Sequence, residues 1–524
     1  MSDFFLKTKK ILIRKKSLIF CVLFVLLLLI DILNILYPSL RSIGVIYNSD
    51  AIYSCIIILL LMSCLLISPK FNLKTWTVFF LLVVLIYLYL YFHNMSVTEL
   101  NSNLNLSSNF MYSEKLEIKY IISLIFIYSL IFVFVKANLS LKELYLIVLT
   151  SSLIISLMII SSNIFLFGKS TYGFESIFDN IFSWFNSNLS MVDPKLLTTR
   201  FYFSEGNSLS VIMFSLFPIV IQQTIDCIGW KKVITYIIVL MHGIAMYMIG
   251  TRVSTFGVLI MLFAVLVINI INHVVSEKDF ILDGLVLTIF LLLFIYIFPY
   301  TPTVKNQEFN RINNQLILDD EIIRQEFLNE RDDSNIIKGT EEYYYYYKYI
   351  FEQYYWLLSI PENYYLISYP YTVDPEFYVD LIFEYDFNQR KNSRQFQKIF
   401  YDYKWNELSF NQKLFGFSYS RVYSGSLILE QDFVFHKYAL GYIGYILFDV
   451  PWLIGLIYII LKLRVHLLKF NVNLIIMLLS VLSVYLSSFF TGHVFDRYLP
   501  MFYLAMLLSF IKSAYLSRFN SNKM

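Results

Sequence analysis

Long apolar runs separated by short polar connections organise this chain. They fall at 17–37, 51–68, 75–92, 118–135, 144–167, 208–227, 233–250, 253–275, 281–299, 435–461, 471–490 and 498–514. A helix needs ~20 apolar residues to cross the hydrocarbon core of a bilayer, and each run is near that length. The ten-residue alternation of a barrel strand does not occur in the sequence, so these runs satisfy their backbone groups in lipid as helices. The pattern predicts an all-α polytopic membrane protein with about 12 transmembrane helices.

One polar stretch stands out from the short connections. It divides the chain into transmembrane helices 1–9 over residues 1–300, a large loop over 301–433, and transmembrane helices 10–12 over 434–524. The loop holds more than half of the Asp and Glu of the chain, including Asp319, Asp320, Glu321, Glu341 and Glu342. Loops this long inside a compact protein are uncommon and usually functional. Residues 322–330 and 341–355 have helical spacing, and Pro361, Pro370 and Pro375 cut the remainder of the loop into short pieces. A small, mostly helical cap is expected.

Composition agrees with the pattern. Hydrophobic residues make up 58% of the chain and charged residues 15%, against about 45–50% apolar in soluble domains. Cys21, Cys55, Cys64 and Cys227 all lie in apolar runs, which argues against a disulfide framework or a cysteine metal site. The basic residues Lys7, Lys9, Lys10, Arg14, Lys15 and Lys16 precede an apolar run with no small-residue cleavage site, the form of an uncleaved signal anchor.

The net charge of +3 matters less than its distribution. With a cytoplasmic N-terminus, every inner connection carries Lys or Arg: Lys70 and Lys74, Lys136 and Lys142, Lys231 and Lys232, Lys278, then Lys462, Arg464 and Lys469, and the tail with Lys512, Arg518 and Lys523. Positive charge concentrates on the cytoplasmic side of membrane proteins. Both termini are therefore expected on the cytoplasmic side, with 301–433 outside. No nucleic acid is expected as a partner.

Ionisable residues in or beside spans are costly and are candidates for function. Asp31, Asp226, His242, Asp283 and Asp449 qualify, although a solvated or paired helix end accounts for each as well. Four arginines sit at outer span ends, where topology signals do not require them: Arg200, Arg252, Arg421 and Arg497. A planar guanidinium suits phosphate or pyrophosphate; a lipid-headgroup anchor or a salt bridge to the acidic loop is the plainer account. The stretch RFYFSEGNSLS brings Glu205 and Asn207 close to Arg200, with Ser204 or Asn207 a candidate helix cap. In EQDFVFHKYALGYIG, a helix starting near Leu427 puts Asp432 and His436 four residues apart on one face, with Glu430 at its water-facing start. A carboxylate beside an imidazole suits a general base, while helix-dipole preference explains the acids alone. The chain has no internal repeat and no inverted pair of interrupted spans, which weakens an alternating-access transporter reading.

The segments IGTRVSTFGVLI at 249–260, RFYFSEGNSLSVIMFSLFP at 200–218, LFGFSYS at 414–420 and EQDFVFHKYALGYIGYILFDVPWLIGL at 430–456 resemble the bacterial O-antigen polymerase and O-antigen ligase superfamily. The resemblance covers roughly Thr199 to the C-terminus, and where such proteins carry Pro-Asn this chain reads Glu205-Gly206-Asn207. It implies a metal-independent glycosyltransferase without cofactor, acting on undecaprenyl-pyrophosphate-linked oligosaccharide at the outer face of the membrane. On this reading Arg252 and Arg200 hold pyrophosphate, aided by Arg421 and Arg497, and a base among Glu430, Asp432 and His436 takes the acceptor proton. Polymerisation of lipid-linked repeat units is the expected reaction, with ligation of a finished glycan and polysaccharide export as alternatives. A chain-length regulator protein is a further partner such an enzyme would take. The aromatics Tyr343 to Tyr347, Tyr354, Tyr355, Trp356, Tyr364 and Tyr365 serve either sugar stacking or the core and interfacial belt of the cap.

Overall fold

A computed structural model describes residues 16–42, 73–100, 109–137, 139–173, 175–185, 193–276, 279–312, 321–326, 329, 337, 339–356, 358, 360, 362–468, 471–492 and 494–521. The expected span at 51–68, with Cys55 and Cys64, lies outside them, as do Asp319, Asp320 and the basic residues before Lys16. Each of the other expected spans falls mainly on helical residues, the one at 435–461 across two consecutive helices. Eight stretches among the described residues are apolar and long enough to cross a membrane. The chain is a helical, multi-pass membrane protein.

Two compact units interleave along the sequence. The first comprises Met1–Asn72, Ser123–Phe309 and Ile457–Met524; the second comprises Leu73–Ile122 and Asn310–Leu456.

In the first unit, α1 (Lys16–Ser42), α4 (Leu141–Ile164), α5 (Gly206–Asp226), α6 (Trp230–Ile249), α7 (Arg252–Ser276), α8 (Ile281–Ile297), α18 (Val472–Phe490) and α19 (Tyr498–Ser521) form a bundle. At its centre, α5 packs against α4, α6, α7 and α18. Its apolar residues face every direction, with Leu209, Val211, Ile212, Met213, Leu216, Phe217, Val220 and Ile221 all buried, the pattern of an interior helix. Phe263 on α7 and Leu285 and Leu292 on α8 are exposed instead, as lipid-facing helices require. His242 on α6 is paired across helices, meeting the Met213 carbonyl at 2.9 Å and Ser152 Oγ at 2.5 Å. Asp283 takes Lys232 at 2.6 Å and the Tyr236 hydroxyl at 2.5 Å, a paired helix end.

The second unit contains α2 (Leu73–Glu99), the start of α3 (Glu114–Ala137), the end of α9 (Pro302–Ile312), and a set of shorter helices: α10 (Glu341–Tyr354), α11 (Pro375–Glu384), α12 (Phe387–Lys391), α13 (Ser393–Glu407), α14 (Phe410–Phe415) and α15 (Tyr419–Ser424). They lead into α16 (Asp432–Phe448) and α17 (Val450–Leu468), which continues into the first unit. Pro375 opens α11 at the position where a missing N–H costs nothing. The tyrosine run divides by helical period: Tyr343 and Tyr347 enter the core while Tyr345 and Tyr349 stay exposed. The core around them is aromatic, with Phe377 edge-to-face against Tyr369, Tyr378 and Phe400.

Two buried cations hold this core. Arg390 is fully buried and donates to the carbonyls of Leu358 and Tyr385 at 2.9 and 2.7 Å. Lys404 Nζ lies 2.7 Å from Asp374, which also accepts from the Tyr369 hydroxyl at 2.6 Å. Replacing Lys404 by methionine leaves Asp374 as a buried charge without its cation, so unfolding in detergent is expected to show a loss of about 3 kcal/mol or more. A Lys404→Met protein melting with the wild type would count against this role.

Candidate functional site

Four sequence candidates, Arg200, Glu205, Asn207 and Arg497, gather in the first unit around the start of α5, beside the turn that carries Arg252. That turn is two residues long. Gly250 ends α6 in the left-handed conformation at φ 69°, and a Cβ there would come within 2.5 Å of Thr198 Cγ2. Thr251 Oγ1 then accepts from the Ser254 amide at 3.2 Å, capping α7, and donates to Ser210 Oγ at 2.7 Å. Arg252 is the first residue of α7 and is exposed. A cation at a helix N-terminus opposes the helix dipole. An anion seated there would be favoured by the guanidinium and by the first amides of the helix together.

The preceding segment is tied onto this turn. The Thr199 amide donates to the Met248 carbonyl at 2.9 Å, Thr171 Oγ1 to the Ile249 carbonyl at 2.7 Å, and the Tyr172 hydroxyl to the Gly250 carbonyl at 2.8 Å. Arg200 is buried, and its Nη1 and Nη2 donate to the carbonyls of Ser204 and Gly173 at 2.7 and 2.8 Å. Burial draws its pKa below the ordinary guanidinium value, while Glu205 and Asp31 act in the opposite sense. Arg200 thus shapes its own loop, whereas Arg252 presents its charge outward.

Ser204 does not cap α5. Its amide and hydroxyl bond the Asp31 carboxylate of α1 at 2.9 and 2.6 Å, so Asp31 is a paired residue that anchors this turn. Glu205 occupies the cap position without a side-chain capping bond. Its carboxylate contacts Arg497 Nη2, which arrives from 292 residues further along the chain. Asn207 follows in the first turn, half-buried. The arginine side chain at 497 remains 47% exposed.

The remaining candidates lie in the second unit, where α16 differs from the expected helix in two ways. It begins at Asp432, with Gln431 as its cap, instead of near Leu427. It also breaks at Gly441, whose φ of 71° is foreign to a helix. The break has a cause. Gly441 and Gly416 approach backbone to backbone: a Cβ on Gly441 would collide with the Phe415 carbonyl carbon, and one on Gly416 with the Gly441 nitrogen. The amides of Phe417 and Ser418 donate to the carbonyls of Tyr438 and Ala439 at 2.8 and 2.9 Å, using the acceptors that the break releases.

The consequence reaches His436. Its Nδ1 lies 2.7 Å from Asp449 Oδ1, and both side chains are buried. A carboxylate beside this imidazole is thus supplied by Asp449, thirteen residues on. In an unbroken helix such residues would stand ~20 Å apart, so the pair exists because Gly441 redirects the chain. Asp432 is buried at the head of α16. Glu430 accepts from Arg394 of α13 at 2.7 and 3.1 Å.

Arg421 is not presented as a surface cation. It is buried, donates to the Val97 carbonyl at 3.0 Å and lies over the Tyr112 ring. Burial lowers its pKa, with Tyr112 and Glu117 acting against the shift. Two residues absent from the sequence candidates, His93 and Glu117, meet at 2.9 Å beneath this loop. Their only sequence signal is an ionisable side chain at the edge of an apolar run.

Among the described residues no group of three or more His, Cys, Asp or Glu could hold a metal ion. No curated protein and no solved structure matches the chain. A family model described as O-antigen ligase like membrane protein matches residues 14–516.

Proposed function

The chain belongs to the O-antigen ligase like membrane protein family, and on that premise we propose that it polymerises surface polysaccharide at the outer face of the bacterial cytoplasmic membrane. The substrates are undecaprenyl-pyrophosphate-linked oligosaccharide repeat units, and the reaction is glycosyl transfer without a metal. Twelve spans, with both termini cytoplasmic and 301–433 outside, are part of the same reading.

The observation that carries it is the exposed Arg252 at the head of α7, on a turn locked by Gly250, Thr251 and Ser210. In the reaction the acceptor hydroxyl loses its proton to a base, its oxygen bonds the anomeric carbon of the donor, and the lipid pyrophosphate departs with the bonding electrons. Arg252, with Arg497, neutralises the departing diphosphate. Arg200 and Arg421, spent on backbone carbonyls, shape the loops instead. His436 is the preferred base over Glu430 and Asp432, because Asp449 holds Nδ1–H and so directs Nε2 to accept a proton.

Purified protein in liposomes, supplied with lipid-linked repeat units, should yield a ladder of lipid-linked oligomers, and His436→Ala should lose it. Repeat units that stay single while a finished polymer moves to another acceptor would replace polymerase by ligase. Passage of repeat units across the vesicle wall without lengthening would sink the reading.

A further inference from the structure

Glu117 is bonded at both carboxylate oxygens, and none of its partners among the described residues is a group assigned to the reaction. It is buried near the start of α3. Its Oε2 accepts from Ser418 Oγ at 2.5 Å and the Ser420 amide at 2.9 Å; its Oε1 faces the Tyr419 amide at 3.2 Å and His93 Nε2 at 2.9 Å. Two amides and a hydroxyl donate to it, so the carboxyl is an ionised acceptor. His93 Nδ1 lies 2.8 Å from the Phe415 carbonyl, which can only accept. His93 thus links the Glu117 carboxylate to the backbone at Phe415, and both side chains are buried.

All of these bonds converge on the segment 415–421. Ser418 holds φ at 85°, a conformation that a residue with a Cβ adopts only when its surroundings dictate it. One residue on, the Tyr419 ring lies flat on Tyr120, 3.6 Å between centroids and 3° between planes. Tyr120 is one turn along α3 from Glu117, and its ring meets the edge of His436 at 6.0 Å. The amides of Phe417 and Ser418 bond the stretch of α16 just beyond His436. Arg421 lies one residue beyond Ser420.

We infer that Glu117, clamped by His93, is a positioning residue that fixes the 415–421 segment and, through the Tyr419–Tyr120 stack, the seat of His436. The inference rests on the proposed role of His436 only for its effect on rate. Glu117→Gln keeps the shape but turns an NH2 towards at least one donor, so the clamp loosens without a large cavity.

The test reads position and rate separately in reconstituted full-length protein. Modification of His436 by diethyl pyrocarbonate, followed by peptide mass spectrometry, is expected to quicken about 10-fold in Glu117→Gln, with kcat down roughly 10- to 100-fold and donor KM within about twofold. Ser418→Ala, which removes a single bond, gives an intermediate effect on both and serves if Glu117→Gln does not fold. Wild-type modification rates in both variants overturn the inference. Faster modification with unchanged kcat upholds the positioning role and instead removes His436 from the proposed reaction.

Discussion

Arg252→Ala is expected to cut the rate of repeat-unit joining by roughly 100- to 1000-fold while leaving protein abundance and melting temperature near wild type. The guanidinium is exposed, so its removal should cost little stability. Lysine at the same position restores the charge but not the planar two-pronged donor, and should recover part of the rate. Thr251→Ala separates charge from scaffold: it removes the cap of α7 and costs about 1 kcal/mol of stability, with a smaller loss of rate. Wild-type turnover in Arg252→Ala, measured with purified lipid-linked repeats, would mean that the pyrophosphate is held elsewhere.

A single methyl group on Gly441 should have the largest structural effect in the second unit. The residue sits at φ 71° with its Cα against the Phe415–Gly416 backbone, so alanine brings left-handed strain and a clash that no side-chain motion relieves. A loss of about 3 kcal/mol or more is expected in thermal unfolding, together with loss of polymer, because the His436–Asp449 pair depends on the break at this position. Gly455→Ala provides the contrast. A Cβ at Gly455 meets nothing within 4 Å, and in a helix alanine is favoured over glycine, so its stability should stay within about 0.5 kcal/mol of wild type or rise slightly. Equal behaviour of the two variants would remove the special role given to Gly441.

Hydrophobic run length was enough to predict a helical membrane protein, because a lipid-embedded backbone must bond to itself and ~20 apolar residues span the bilayer core. The place of Arg252 was equally legible, because the apolar runs at 233–250 and 253–275 leave only a short join between them. What the sequence could not determine were pairings made across distance. The i,i+4 rule pointed from His436 only as far as Asp432, whereas the carboxylate 2.7 Å from its Nδ1 belongs to Asp449, which the break at Gly441 brings back towards it. Arg200 and Arg421 have the composition of phosphate ligands, yet the backbone carbonyls around them claim their donors. Asp31 meets Ser204 from 173 residues away, and Glu117 meets Ser418 from 301 residues away. Which segments are apolar and helical, and where ionisable groups occur along them, is settled by the sequence alone, because hydrophobicity and capping act within a few residues. Only the tertiary structure decided which of those groups are presented and which are spent on the fold, because hydrogen bonding and close packing act between segments that sequence distance keeps apart.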